Sequence, residues 1–419
     1  MVIPVACHGG AMSSSRVPVS ISRHASVFGS AAACLYVAGI AIPFEWDIPL
    51  VLLALLGILA TVFRPRSIPS GTSPLVLPVL ILLVVTVLTI LHSQDIHRSM
   101  RLSAPILPAA LLFFLITEHF HRLRDIRLLC LTFCAVGLGL ATGLIWTAWR
   151  APWMSTYQWA ISLGSPVFVV PNDATFLALL CPISAVLAFH APRSKGAILA
   201  ILAIGLTVCA ICLLRSRAAM LTLIGSMTCA AALVRPRLAL ACGLATVACL
   251  LLVDASLDFR LLGKFRDPWH DEGISGRILL WSSAWGMFLE APLLGHGPRT
   301  FTYAMTPWAH NLYLEALAEQ GIVGLLALGF ALVRGLASGW RITRHPDVET
   351  RMLGIASFSA LVGFCIAAAL ELSFIRQWVW IVLFTLLGII SRVARLQRDR
   401  PEAGMGRESN RRLVQASAI

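Results

Sequence analysis

The sequence predicts an all-α membrane protein of about twelve transmembrane helices. Three observations carry this. Hydrophobic residues fill 58% of the 419 positions and charged residues only 13%, whereas a soluble domain holds roughly half and a quarter. The apolar residues come in long unbroken runs, unlike the short alternating strands of a membrane barrel. The polar connections between the runs alternate between rich and poor in Lys and Arg.

Residues 1–25 read as a polar, Ser-rich cytoplasmic tail with Arg16 and Arg23, lacking the apolar stretch of a cleaved signal. Spans are expected at 26–44, 48–63, 73–92, 101–118, 127–147, 173–190, 196–214, 217–234, 238–253, 321–339, 353–370 and 378–394. Each is close to the roughly 17–25 residues that cross a bilayer, and the second is the shortest fit. Residues 26–253 thus form a bundle of nine spans, 254–320 a long loop, 321–394 three further spans, and 395–419 a basic cytoplasmic tail.

Orientation follows from the connections. Arg64–Arg66, His121–Arg127, Arg193–Lys195, Arg235–Arg237 and Arg341–Arg351 are basic; Phe44–Asp47, Leu91–Met100, Thr147–Asn172 and Glu371–Gln377 are nearly free of Lys and Arg. With the basic set inside, both termini are cytoplasmic. The net charge of +13 is therefore a topology signal and does not point to nucleic acid. All of the eleven Cys residues except Cys7 lie in apolar runs and behave as small hydrophobes.

The loop 254–320 departs from the rule. It lies outside yet keeps Arg260, Lys264, Arg266, Arg277 and Arg299. Long loops cross regardless of charge, but retained cations also suit an anionic ligand. Within the loop, Ile278, Trp281, Trp285 and Phe288 recur at helical spacing before Pro292. They predict an amphipathic helix at the membrane surface with Trp at headgroup depth. A short helix is expected from Asn311 to Gln320, with Gly321 capping it or breaking it from the next span.

The chemistry-bearing residues are on the exterior side. There is no Walker loop, G-x-G-x-x-G, H-E-x-x-H or D-x-D, so neither metal nor cofactor is expected. The cations suit a lipid diphosphate, because the Arg fork matches phosphate oxygens bidentately. Arg215 and Arg217 sit where two spans meet outside; they snorkel to headgroups or bind that diphosphate. Arg277 is a solvated loop charge or a second phosphate ligand. His310 caps a helix or accepts a hydroxyl proton, and His270 and His296 share its loop. Asn172 caps a span or lines the site. Glu319 closes a helix end or acts as a base. Glu371 and Arg376 read as an exterior loop pair.

Ser216–Arg217–Ala218, Gly276–Pro298 with its GR…W…W…L..PLLGHGP pattern, and AHNLYLEALAEQGIVGLL at Ala309–Leu326 together resemble the O-antigen ligase and O-antigen polymerase superfamily. The signature region covers roughly residues 200–340, and three motifs fall in order. The resemblance implies a bundle of the GT-C type in the bacterial inner membrane, with a periplasmic loop over a lateral groove. It implies an undecaprenyl-diphosphate-linked glycan as donor, a glycan or lipid A-core acceptor, and membrane lipids as surroundings. It places diphosphate binding on Arg217 and Arg277 and the acceptor histidine at His310; Asn311, next in the chain, is expected to align the acceptor. The rivals are a polytopic transporter or a flippase for lipid-linked glycans, which would place ionisable groups at mid-membrane, and a non-catalytic assembly subunit.

Overall fold

In the computed structural model, residues 19–39, 73–163, 174–190, 195–256, 272–303 and 306–416 are described. The helices are α1 (Val19–Gly39), α2 (Val76–Leu91), α3 (Ile96–Ser103), α4 (Ile106–His119), α5 (Leu123–Arg150), α6 (Thr156–Ser162), α7 (Ala174–His190), α8 (Lys195–Leu213), α9 (Arg217–Val234), α10 (Pro236–Ser256), α11 (Glu272–Glu290), α12 (Leu312–Ile342), α13 (Val348–Leu370) and α14 (Gln377–Ala416). Among the described residues there is no strand, only a bridge between Tyr303 and Thr306.

Six helices among the described residues are long and apolar enough to span a membrane: Ile96–His119 (taken through the α3–α4 turn), Leu123–Arg150, Arg217–Val234, Leu312–Ile342, Val348–Leu370 and Gln377–Gln397. Five shorter apolar helices join them, at Gly29–Gly39, Val76–Leu91, Ala174–Ala188, Ala197–Leu213 and Gly243–Ser256. The protein is a multi-pass helical membrane protein. The expected span at 48–63 and loop residues 257–271 lie outside the described residues.

Several boundaries move. The span expected at 217–234 coincides with α9. The one expected at 101–118 is cut by Pro105, which stands at the N-cap of α4. Proline has no N–H to carry a helix through, so the polar turn α3 separates from apolar α4. Helix α1 starts at Val19, inside the stretch expected as a tail, and α14 runs through the basic tail to Ala416. A helix outlasts its apolar run wherever backbone bonding continues.

Helix α14 runs through the centre of the bundle. Val379, Ile381, Leu383, Phe384, Leu387 and Ile390 are fully buried, and it packs on α4, α12 and α13. Far along it, buried Arg392 donates to the carbonyls of Phe120 and Thr117. These are orphan acceptors at the end of α4, which a cation satisfies well. Arg395 pairs with Glu118 at 3.1 Å.

The feature that positions the site is a break inside α12. Gly321 has φ 64° and ψ −166°, a region that only glycine occupies readily. Two helical bonds are lost there, and the loop after α11 replaces both. The N–H groups of Ile322 and Val323 donate to Pro292 and Leu293 at 2.9 and 3.3 Å, while the freed carbonyls of Ala318 and Glu319 accept from His296 and Gly297 at 3.2 and 2.8 Å. A Cβ on Gly321 would strike the Leu293 carbonyl, and one on Gly295 the Glu319 backbone. The span expected at 321–339 is therefore the second half of a helix that begins at Leu312. Gly321→Ala is expected to cost about 1–3 kcal/mol from backbone strain alone, read as a lower melting temperature of the purified protein; an unchanged value would count against this break.

Helix α11 packs on α12 through buried Leu280 and Ala284. The expected helix is present as α11, but its Trp stripe is split. Trp281 turns inward and donates Nε1–H to the Ala309 carbonyl at 3.1 Å, while Trp285 stays exposed.

Candidate active site

Glu371, Arg277 and His310 form the centre of the site. The α13 helix ends at Ala367–Leu370, and Glu371 caps it, its N–H donating to the Ala367 carbonyl at 2.8 Å. The carboxylate is only 2% exposed. Its Oε2 accepts from a terminal guanidinium nitrogen of Arg277 on α11 at 2.5 Å, and its Oε1 from His310 Nδ1 at 2.8 Å. The Arg277 side chain is 23% exposed, far more open than the carboxylate it pairs with.

His310 is held at the mouth of α12. Its φ of 53° turns the chain just before Asn311, whose Oδ1 accepts from the N–H groups of Tyr313 and Leu314, both at 3.1 Å. That is an N-cap. Trp308 donates its indole N–H to His310 Nε2 at 2.8 Å. Since Nε2 accepts there, the imidazole carries its proton on Nδ1 and gives it to Glu371. The guanidinium of Arg376 lies over the Trp308 ring, 5.1 Å from its centre, a cation–π contact. Burial pushes Arg376 down to about 10, still cationic at neutral pH.

A second buried cluster lies behind the first. Glu315 Oε1 accepts from the Ser373 hydroxyl at 2.7 Å and the Phe374 N–H at 3.1 Å, and Oε2 from the Ala309 N–H at 3.4 Å. Glu319, one turn on, accepts from the Phe301 N–H at 3.2 Å. Buried Arg299 faces both carboxylates: burial lowers its pKa, and Glu319 and Glu315 oppose that shift. This cluster ties the α11–α12 loop and the α13–α14 loop to the first turns of α12, so it sets where His310 and Glu371 sit.

Of the residues expected from sequence, Arg277 and His310 are brought together. Arg215, with φ 53°, and Arg217 lie at the α8–α9 turn, where Ser216 caps α9; neither is a partner of Glu371. Asn311 is spent on its cap. Asn172 and His270 lie outside the described residues. His296 is structural: Nδ1 accepts from the Gln94 side chain at 2.9 Å and Nε2 donates to the Met287 carbonyl at 3.0 Å. Glu319 sits buried in the last turn before the break at Gly321, at the helix end expected for it. Glu371 pairs with Arg277 and His310 instead of Arg376. Sequence reasoning missed Glu371, Trp308 and Arg376 as site residues. The available signal was an acidic residue in a short connection next to an expected span, in a chain whose long loop is rich in cations.

Among the described residues no three His, Cys, Asp or Glu side chains are grouped to hold a metal ion. What the arrangement offers is a half-open cation beside an oriented imidazole, which suits binding an anion next to a hydroxyl that loses a proton.

Residues 194–329 match the family model described as O-antigen ligase. The resemblance read from the three motifs is borne out over this interval, which holds Arg215, Arg217, Arg277, His310 and Asn311. It ends before Glu371 and Arg376. No curated protein matches the chain.

Proposed function

We propose that this chain, similar over residues 194–329 to the O-antigen ligases, is an inverting, metal-independent glycosyltransferase. It moves a glycan from an undecaprenyl-diphosphate donor to an acceptor hydroxyl at the periplasmic face of the inner membrane. The observation that carries the reading is the meeting of Arg277 and His310 on one carboxylate, from separate elements.

In this reading the donor diphosphate lies on Arg277, with Arg215 and Arg217 reaching it from the α8–α9 turn. The acceptor hydroxyl replaces the Trp308 indole at His310 Nε2. Its oxygen bonds to the anomeric carbon as the bond from that carbon to the diphosphate oxygen breaks. The electron pair leaves on the diphosphate, where the arginines offset the charge, and the proton goes to Nε2. One displacement inverts the anomeric centre. Asn311 acts through its cap, fixing His310 instead of touching the acceptor. No role is given to Asn172.

The test uses purified protein in nanodiscs, chelated buffer and an undecaprenyl-diphosphate-linked oligosaccharide, with release of undecaprenyl diphosphate as readout. Arg277→Ala is expected to lower release roughly 10²–10³-fold. Longer lipid-linked glycans among the products identify a polymerase; release that requires an added acceptor identifies a ligase. Equal release by wild type and variant would remove Arg277 from the site.

A further inference from the structure

We propose that Glu371 is a positioning residue that holds Arg277 and His310 in register before the donor binds and then yields Arg277 to the diphosphate. The inference rests on the donor reading above and adds a residue that lies outside the matched interval.

Each carboxylate oxygen serves a different group, Arg277 at 2.5 Å and His310 at 2.8 Å. The carboxylate is buried, while Arg277 is partly open. Of the two partners, Arg277 is therefore the one that an incoming ligand meets first. A diphosphate and Glu371 compete for the same fork, and the more highly charged, bidentate ligand is the stronger partner. Once Arg277 turns to the diphosphate, Glu371 faces His310 alone. Its charge then acts on the ring as that ring takes the acceptor proton, and its bond to Nδ1–H keeps the lone pair on Nε2. Binding of the anion thus leaves the imidazole with an uncompensated carboxylate when it needs one.

A plain structural tie predicts something different. Glutamine at 371 keeps the shape but presents an amide NH2 to either Arg277 or His310. Toward Arg277 it repels; toward Nδ1 it enforces the tautomer that cannot accept at Nε2.

The experiment measures binding of farnesyl diphosphate, a soluble lipid diphosphate, to wild type, Glu371→Gln, Arg277→Ala and the double variant, alongside turnover of the glycan donor. Glu371→Gln is expected to bind roughly 5-fold tighter or more, as coupling between linked sites typically gives. Arg277→Ala is expected to bind at least about 10-fold weaker, and the double variant to match Arg277→Ala. Turnover of Glu371→Gln should fall by about 10²-fold or more, so binding and catalysis move in opposite directions. Where Glu371→Gln does not fold, Glu371→Asp replaces it; the shorter carboxylate loosens its hold on Arg277 and should also tighten diphosphate binding. Weaker binding in the folded position-371 variant overturns the inference alone. A wild type that does not bind farnesyl diphosphate overturns the donor reading as well.

Discussion

Replacing His310 is expected to lower turnover by roughly 10²–10⁴-fold, the range that a general base contributes, with donor affinity little changed. Turnover falls because His310 Nε2 is the acceptor atom aimed away from Glu371, and Trp308 donates only to it. Donor affinity holds because Arg277 stays on α11. The substitution must respect the backbone: His310 has φ 53°, which Asn tolerates better than Ala. His310→Asn therefore separates loss of the base from distortion of the α12 entry. Undecaprenyl diphosphate release would be followed for both variants at saturating donor. An Asn variant that retains a tenth or more of wild-type turnover would rule out His310 as the base.

Glu315→Ala is expected to destabilise the protein by about 3–5 kcal/mol, the usual effect of stripping one partner from a buried ionic cluster. Glu315 is 2% exposed. Its loss strands the Ser373 hydroxyl and the N–H groups of Phe374 and Ala309, and leaves buried Arg299 with Glu319 alone. Those stranded groups flank Glu371 and His310, so activity should disappear with stability. Glu315→Gln keeps an acceptor for the Ser373 and Phe374 donors and should cost less. Melting temperatures of the purified variants check this, and an Ala variant that melts with wild type would refute the role given to the cluster.

The apolar helices that the structure has at expected spans were legible because twenty apolar residues in a row have few alternatives to a membrane helix, and α9 runs from Arg217 to Val234 as expected. So was the start of α12: a short helix from Asn311 broken from the next span at Gly321 is what the structure has. What nothing local reveals is that a distant loop supplies the two missing backbone bonds. The PLLGHGP motif was visible as a pattern, but its structural reason was not: His296 and Gly297 donate into the break, and the positive φ of Gly295 and Gly297 brings the loop against it. Arg277 and His310 were legible by chemistry. Glu371 was not, because a carboxylate and an arginine in one short connection, Glu371 and Arg376, read as a loop pair until the partners from α11 and the α12 entry are seen. The Trp stripe of α11 misled for a related reason: helical spacing gives a face but not which neighbour that face meets.

The loop that stitches the α12 break also has a consequence for engineering. Residues 292–297 and 318–323 exchange four backbone bonds, so neither segment is a free-standing part. Exchanging this loop with another at a point inside this stretch would mate a foreign loop with a native break and lose the register of both. The transferable cassette begins before α11 and ends well inside the second half of α12. Because Glu315 and Glu371 each reach beyond the α11–α12 loop, the α13–α14 turn must travel with that cassette.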